Sequence, residues 1–123
     1  MGLDMWLSKK KGKNLEEIAY WRKANQIREF FVTYVPDEQH ENIENLPITL
    51  EMLATLEERI NKCLKDKDIN VCERLLPTSS GFFFGSTEYD SYYFEDLEMT
   101  LPFIKIARNE IENGNHVIYH EWW

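Results

Sequence analysis

Two apolar, alternating segments stand at opposite ends of this 123-residue chain, and neither has a strand-like neighbour in sequence. Over Gly2 to Ser8, Leu3, Met5 and Leu7 alternate with Asp4, Trp6 and Ser8. Over His116 to Trp123, Val117, Tyr119 and Glu121 alternate with Ile118, His120 and Trp122. A period of two sends successive side chains to opposite faces of a strand. An unpaired strand leaves backbone N–H and C=O groups without partners, so the least costly solution pairs the first segment with the last. That pairing closes residues 1–123 into one domain, which the length also favours. No internal repeat or linker interrupts it.

The middle of the chain reads as helical. Lys9, Lys10, Lys11 and Lys13 around Gly12 are too charged to bury and make a loop. Asn14 with Glu17 resembles a capping box, and Tyr20, Ala24, Ile27, Phe31 and Tyr34 recur at helical spacing, so a helix is expected from about Leu15 to Tyr34. Pro36 stops it. The acidic stretch 37–45 reads as a solvated loop. Thr49 caps a second helix carrying Leu50, Leu53, Ile60 and Leu64, which ends in the charged run 65–68. A short helical piece follows, from Val71 to Leu76. Phe82, Phe83 and Phe84 between two glycines suggest an extended buried segment that joins the sheet. A third long helix is expected from about Ser91 to Asn113, with Pro102 inside it as a kink and Gly114 closing it. The fold class is therefore α+β: three helices packed on a small sheet formed by the N- and C-terminal strands.

Composition narrows the function classes. Apolar residues make up 43% of the chain and aromatics 14%, enough for a core and unlike a disordered chain. No apolar run approaches the ~20 residues of a membrane helix. Charges follow rather than precede the short apolar patch at the start, the reverse of a signal peptide. Two cysteines, Cys63 and Cys72, do not make a disulfide scaffold and fit a reducing, cytoplasmic setting. The formal net charge is −8. Phosphate would repel such a surface, so no direct contact with nucleic acid is expected.

The segments MGLDMWL at the start, EIAYWRKANQIREFFV at 17–32, LLPTSSGFFFGSTEYDSYYFEDL at 75–97 and VIYHEWW at the end resemble a family of small uncharacterised proteins of bacteriophages and prophages. The resemblance spans most of the chain and is most specific in GFFFGSTEYD. It implies a viral or prophage origin and the cytoplasm of an infected or lysogenic bacterium. It implies no reaction.

Two candidate sites stand out. In the block after the aromatic triplet, Gly85, Ser86, Thr87, Tyr89 and Asp90 gather amides, hydroxyls, a phenol and a carboxylate before a helix. Helix N-termini attract anions, but Glu88 and Asp90 oppose a phosphate. The same residues also read as simple structure, with Ser86, Thr87 or Asp90 as the helix cap and the glycines as turn formers. The block lacks the GK[ST] ending of a Walker loop. In the expected first helix, Trp21, Arg22 and Asn25 lie beside one another, with Trp21, Asn25 and Arg28 on one face. An aromatic, an amide and a guanidinium can hold a planar ligand. Equally, Trp21 can be a boundary core residue covered by Arg28.

Acidic residues are clustered, seven over 37–58 and five over 88–98, with no lysine or arginine in either stretch. Glu95, Asp96 and Glu98 belong to the second. Such a surface can occupy a partner's basic groove, or serve solubility alone. His116 and His120 lie about 13 Å apart on one strand face, too far for one metal site. No metal or cofactor is expected, and no nucleophile signature is present. Two functions follow. One is a non-enzymatic accessory protein that binds a host protein, such as a nucleic-acid-handling or defence enzyme, through acidic surface. The other is a small-molecule or nucleotide-binding module using the 85–90 loop and the Trp21–Asn25 helix face. A pocket between those two segments favours the second; a convex acidic surface favours the first.

Overall fold

The computed structural model describes residues 2–81 and 84–123. Strand β1 (Asp4–Lys11) turns at Gly12 into β2 (Asn14–Arg22), and helix α1 (Asn25–Val32) follows. A single 3-10 turn (Asp37–Gln39) and the two-residue strand β3 (Leu46–Pro47) lead to helices α2 (Leu50–Asp66) and α3 (Ile69–Leu75). Helix α4 (Ser91–Glu112) and strand β4 (Val117–Trp122) complete the chain. The sheet is antiparallel in the order β2-β1-β4-β3. Among the described residues the class is α+β, as expected; the sheet has four strands rather than the two terminal ones alone, because β2 and β3 flank them, and four α-helices are present where three were expected.

The terminal pairing is present. Met5 lies opposite Glu121, Leu7 opposite Tyr119 and Lys9 opposite Val117. These residues share the inner face with Leu3, Ala19 and Trp21, and α1 and α4 cover them. Phe31 of α1 stacks on Tyr119 at 4.4 Å, and Phe103 of α4 meets Trp21 edge-on at 5.2 Å. Behind α4, α2 contributes Leu53, Leu56 and Ile60 to the same core cluster. Cys63 and Cys72 are buried there as free thiols, and burial pushes the Cys63 thiol up to about 12.

The expected helix 15–34 is corrected. Its first half is strand β2, paired along its length with β1, and only its second half is helical. The lysine run is mostly strand too. Lys11 faces Asn14, so the loop shrinks to Gly12 and Lys13. A two-residue hairpin turn of this kind needs positive φ at its first position, and Gly12 has +65°. A bulge at Leu7/Ser8 inserts Ile18 into β2, after which Lys9 lies opposite Glu16 and the two form a salt bridge at 3.5 Å, with the Glu16 side chain half-exposed. Tyr20, expected in the core stripe, is instead on the outer face, 37% exposed.

Elsewhere the boundaries hold within a residue or two. Thr49 caps α2 through its side chain, and Asp90 rather than Ser86 or Thr87 caps α4. The α4 end is a Schellman closure, with Gly114 N–H on the Ile111 carbonyl and Asn115 N–H on the Glu110 carbonyl, both 3.0 Å. The acidic stretch 37–45 is largely exposed, but Ile43 is buried and its carbonyl accepts from Glu121 N–H at 2.8 Å. Of the aromatic triplet, Phe82 and Phe83 lie outside the described residues. Phe84 is buried outside any strand, held by its N–H on the Gly81 carbonyl at 3.2 Å.

Candidate functional site

The link between β2 and α1 and the segment before α4 are about sixty residues apart in sequence, and they meet. Asn25, the first residue of α1, joins them. Its Nδ2 donates to the carbonyls of Phe84 and Ser86, both at 3.0 Å, and its Oδ1 accepts from Ser79 N–H at 2.9 Å. One buried amide thereby satisfies three backbone groups of a loop with no ladder of its own. Beside it, Lys23 has φ +58° and Gly85 has φ +87°. A Cβ at Gly85 would stand 3.1 Å from the Lys23 Cβ. The two facing turns thus both adopt left-handed backbone, unusual for lysine and natural for glycine.

The cavity left between these segments holds about 310 Å³. From one side come Arg22, Lys23 and Gln26; from the other come Ser86, Glu88, Asp90, Tyr92 and Asp96. Charges of both signs therefore line one small cleft. Asp90 is committed to capping, accepting from Tyr93 N–H at 3.1 Å. Arg22 Nη1 lies 3.2 Å from Asp4 on the neighbouring strand. Asp96 is half-buried and accepts from Gln26 Nε2 at 3.3 Å. Burial pushes its carboxyl up to about 6; the Gln26 bond opposes the shift, and Glu95 and Asp90 add to it. Tyr92 is 73% exposed at the rim.

Of the residues singled out in sequence, the cleft gathers Arg22, Gly85, Ser86, Asp90 and Asp96. Asn25 supports it from behind. Trp21 is not a wall: as part of a strand, it is buried in the core and donates Nε1–H to Thr100 Oγ1 at 2.8 Å. The expected face of Trp21, Asn25 and Arg28 does not exist, because only the last two are helical. Thr87 offers its carbonyl to Thr78 Oγ1 at 3.0 Å, and the Tyr89 hydroxyl accepts from Thr78 N–H at 3.1 Å; both hold the loop in shape. Ser86 Oγ accepts from Glu88 N–H at 3.0 Å. Glu95 and Glu98 are exposed on α4, away from the lining. Asp96 differs from both, since it faces the cleft and not bulk solvent. Gln26, Thr78 and Tyr92 were missed. Gln26 carried the clearest signal, a second amide beside Asn25.

Arg28 serves another network. Its Nε is 3.0 Å from both Glu121 oxygens, and Nη2 donates to the His40 carbonyl. The guanidinium also lies over the Phe84 ring at 4.9 Å, tying the loop to the C-terminal strand.

Among the described residues no group of three or more His, Cys, Asp or Glu is placed to hold a metal ion, and no helix is long and apolar enough to cross a membrane. Comparison with protein-family models, with curated proteins and with solved structures finds no match.

Proposed function

We propose that this chain is a non-catalytic binding protein whose site is the cleft between residues 22–26 and 78–96. The occupant is a small polar molecule with charges of both signs, the size of an amino acid. The single observation behind this is the convergence of two distant, left-handed turns on a cleft with Arg22 and Lys23 on one side and Asp96 on the other. A polyphosphate would meet Glu88, Asp90 and Asp96, which disfavours a nucleotide. Pockets that bind small ligands begin at about 300 Å³, so this one suits only a small molecule.

A second reading has its own support. Glu88 and the 73% exposed Tyr92 stand at the cleft, and exposed Glu95 and Glu98 follow on α4; acidic surface beside a protruding aromatic fits a basic groove on another protein. In that case the chain is a phage-like accessory factor in a bacterial cytoplasm, as the family resemblance implies, acting on a host enzyme.

Titration of the ¹⁵N-labelled protein with single amino acids and dipeptides tests the first reading. Shifts are expected at Gly85, Ser86 and the Gln26 side-chain amide, and Asp96→Asn should weaken binding about tenfold, the loss of one charged contact. Absence of shifts in these residues across the set would refute it. Salt-sensitive capture of a basic host protein, lost in Glu95→Lys/Glu98→Lys, would then select the second.

A further inference from the structure

The sheet has two faces, and the helices take one. The other carries a cross-strand row of rings. Trp6 on β1 stands between Tyr20 on β2 and His120 on β4, with ring centroids 5.8 Å and 5.1 Å away. Next to this ridge the same face is closed over by its own side chains. Ser8 is 2% exposed and Ile118 4%, although Ile118 lies outside the main core cluster. Ser8 Oγ and His120 Nε2 are 2.9 Å apart, fixing the imidazole against the ridge. Beyond Ser8 come Lys10 and Leu15; beyond the ridge come Asp4, Arg22 and Trp122, the last 66% exposed.

We propose that this face binds a second copy of the chain about a two-fold axis, perpendicular to the strands, between the levels of Trp6 and Ser8. The axis superposes β1 on the partner's β1 in the reverse direction. Trp6 of each copy then lies at the level of the partner's Ser8, His120 at the level of Ile118 and Tyr20 at that of Glu17, so that the two rows of rings run side by side across the axis. Asp4 and Lys10, about 20 Å apart along β1 at the usual rise per residue, come opposite each other in both halves. An isologous contact requires this kind of self-complementary pattern. Charge also singles the face out. The chain carries net −8, which resists self-association in general. On this face the acids Asp4 and Glu17 are balanced by Lys10 and Arg22, so the repulsion is absent where the apolar ridge lies.

Sedimentation equilibrium on the intact chain tests it. The wild type should dimerise. Asp4→Lys and Lys10→Asp should each raise the dimer dissociation constant about tenfold or more, since each places like charges opposite one another in both halves. Mixing the two variants should restore association. In the mixed dimer the introduced lysine of one copy faces the introduced aspartate of the other, and the native Lys10 of the first faces the native Asp4 of the second. Leu15→Arg, at an exposed position, brings a guanidinium against the partner's Arg22 and should also dissociate the dimer; it keeps the test valid if Asp4→Lys, which loses the Tyr20 and Arg22 contacts, fails to fold. A wild type still monomeric near 1 mM, or a dimer unaffected by Lys10→Asp and Leu15→Arg, would overturn the proposal.

Discussion

Removing the charge from Glu121 should unfold much of what holds the C-terminal strand to the rest. Arg28 and Glu121 are 5% and 4% exposed. The carboxylate accepts from Arg28 Nε at 3.0 Å, Tyr119 OH at 2.6 Å and Trp123 Nε1 at 2.9 Å. Burial and the adjacent carboxylate hold the Tyr119 hydroxyl well above its ordinary pKa, so it remains a donor across the accessible range. Glu121→Gln preserves the shape but leaves a buried guanidinium without its counter-charge, a loss of about 3–5 kcal/mol. A chain of this length has an unfolding entropy of about 0.26 kcal/mol/K, so the midpoint should fall by about 15 °C. Arg28→Met with Glu121→Leu removes both charges and should cost less than either single change, because no uncompensated charge remains. Urea and thermal melts followed by circular dichroism on the wild type, Arg28→Met, Glu121→Leu and the double variant give all four corners of the cycle. A Glu121→Gln cost below about 1 kcal/mol, or strictly additive single costs, would refute the account of a desolvated, mutually dependent pair.

Two other outcomes follow from the cleft and its neighbours. Asp96 has its folded-state pKa raised from 3.8 to about 6, so the unfolded chain binds fewer protons between those values and stability falls as pH rises through them. Discounted for its partial exposure, the effect is about 1–2 kcal/mol, and Asp96→Asn should remove that slope from stability measured against pH. His120, whose pKa burial lowers, acts oppositely: stability should fall as pH drops below 6.5, and His120→Gln should flatten that part of the curve. Gly85→Val meets both the φ of +87° and the Lys23 Cβ, so it should cost about 1–3 kcal/mol in a urea melt; an unchanged melt would show that the turn relaxes freely.

Local chemistry was readable wherever a segment's own side chains decide its structure. Thr49 announces a helix start because its short polar side chain satisfies an N–H group of the first turn, and the same logic narrows the start of α4 to Ser86, Thr87 or Asp90, of which the structure uses Asp90. The two terminal segments could be paired on paper because alternation leaves each with one apolar face and no near neighbour. Of the candidate site, the loop 85–90 was legible from its glycines and hydroxyls, as were Arg22, Asn25 and Asp96 as polar residues worth following. What misled was 14–22. Asn14, Glu16 and Glu17 favour a helix start, and Tyr20, Ala24 and Ile27 fit a helical stripe. Local preference there amounts to a few tenths of a kcal/mol per residue. Pairing with β1 along the whole of β2, with Trp21 buried against Phe31 and Phe103, outweighs it. By itself, then, the sequence determined the Thr49 cap, the two terminal strands at the centre of the sheet and the α+β class, because these rest on interactions within a few residues or on a face pattern that pairing the two ends satisfies. The tertiary structure alone decided that Trp21 belongs to the core and Asn25 to the loop it ties. It also decided that Arg22, Lys23 and Asp96 share one cleft, because those neighbours come from positions more than seventy residues apart, and no local pattern records which distant surface a side chain will meet.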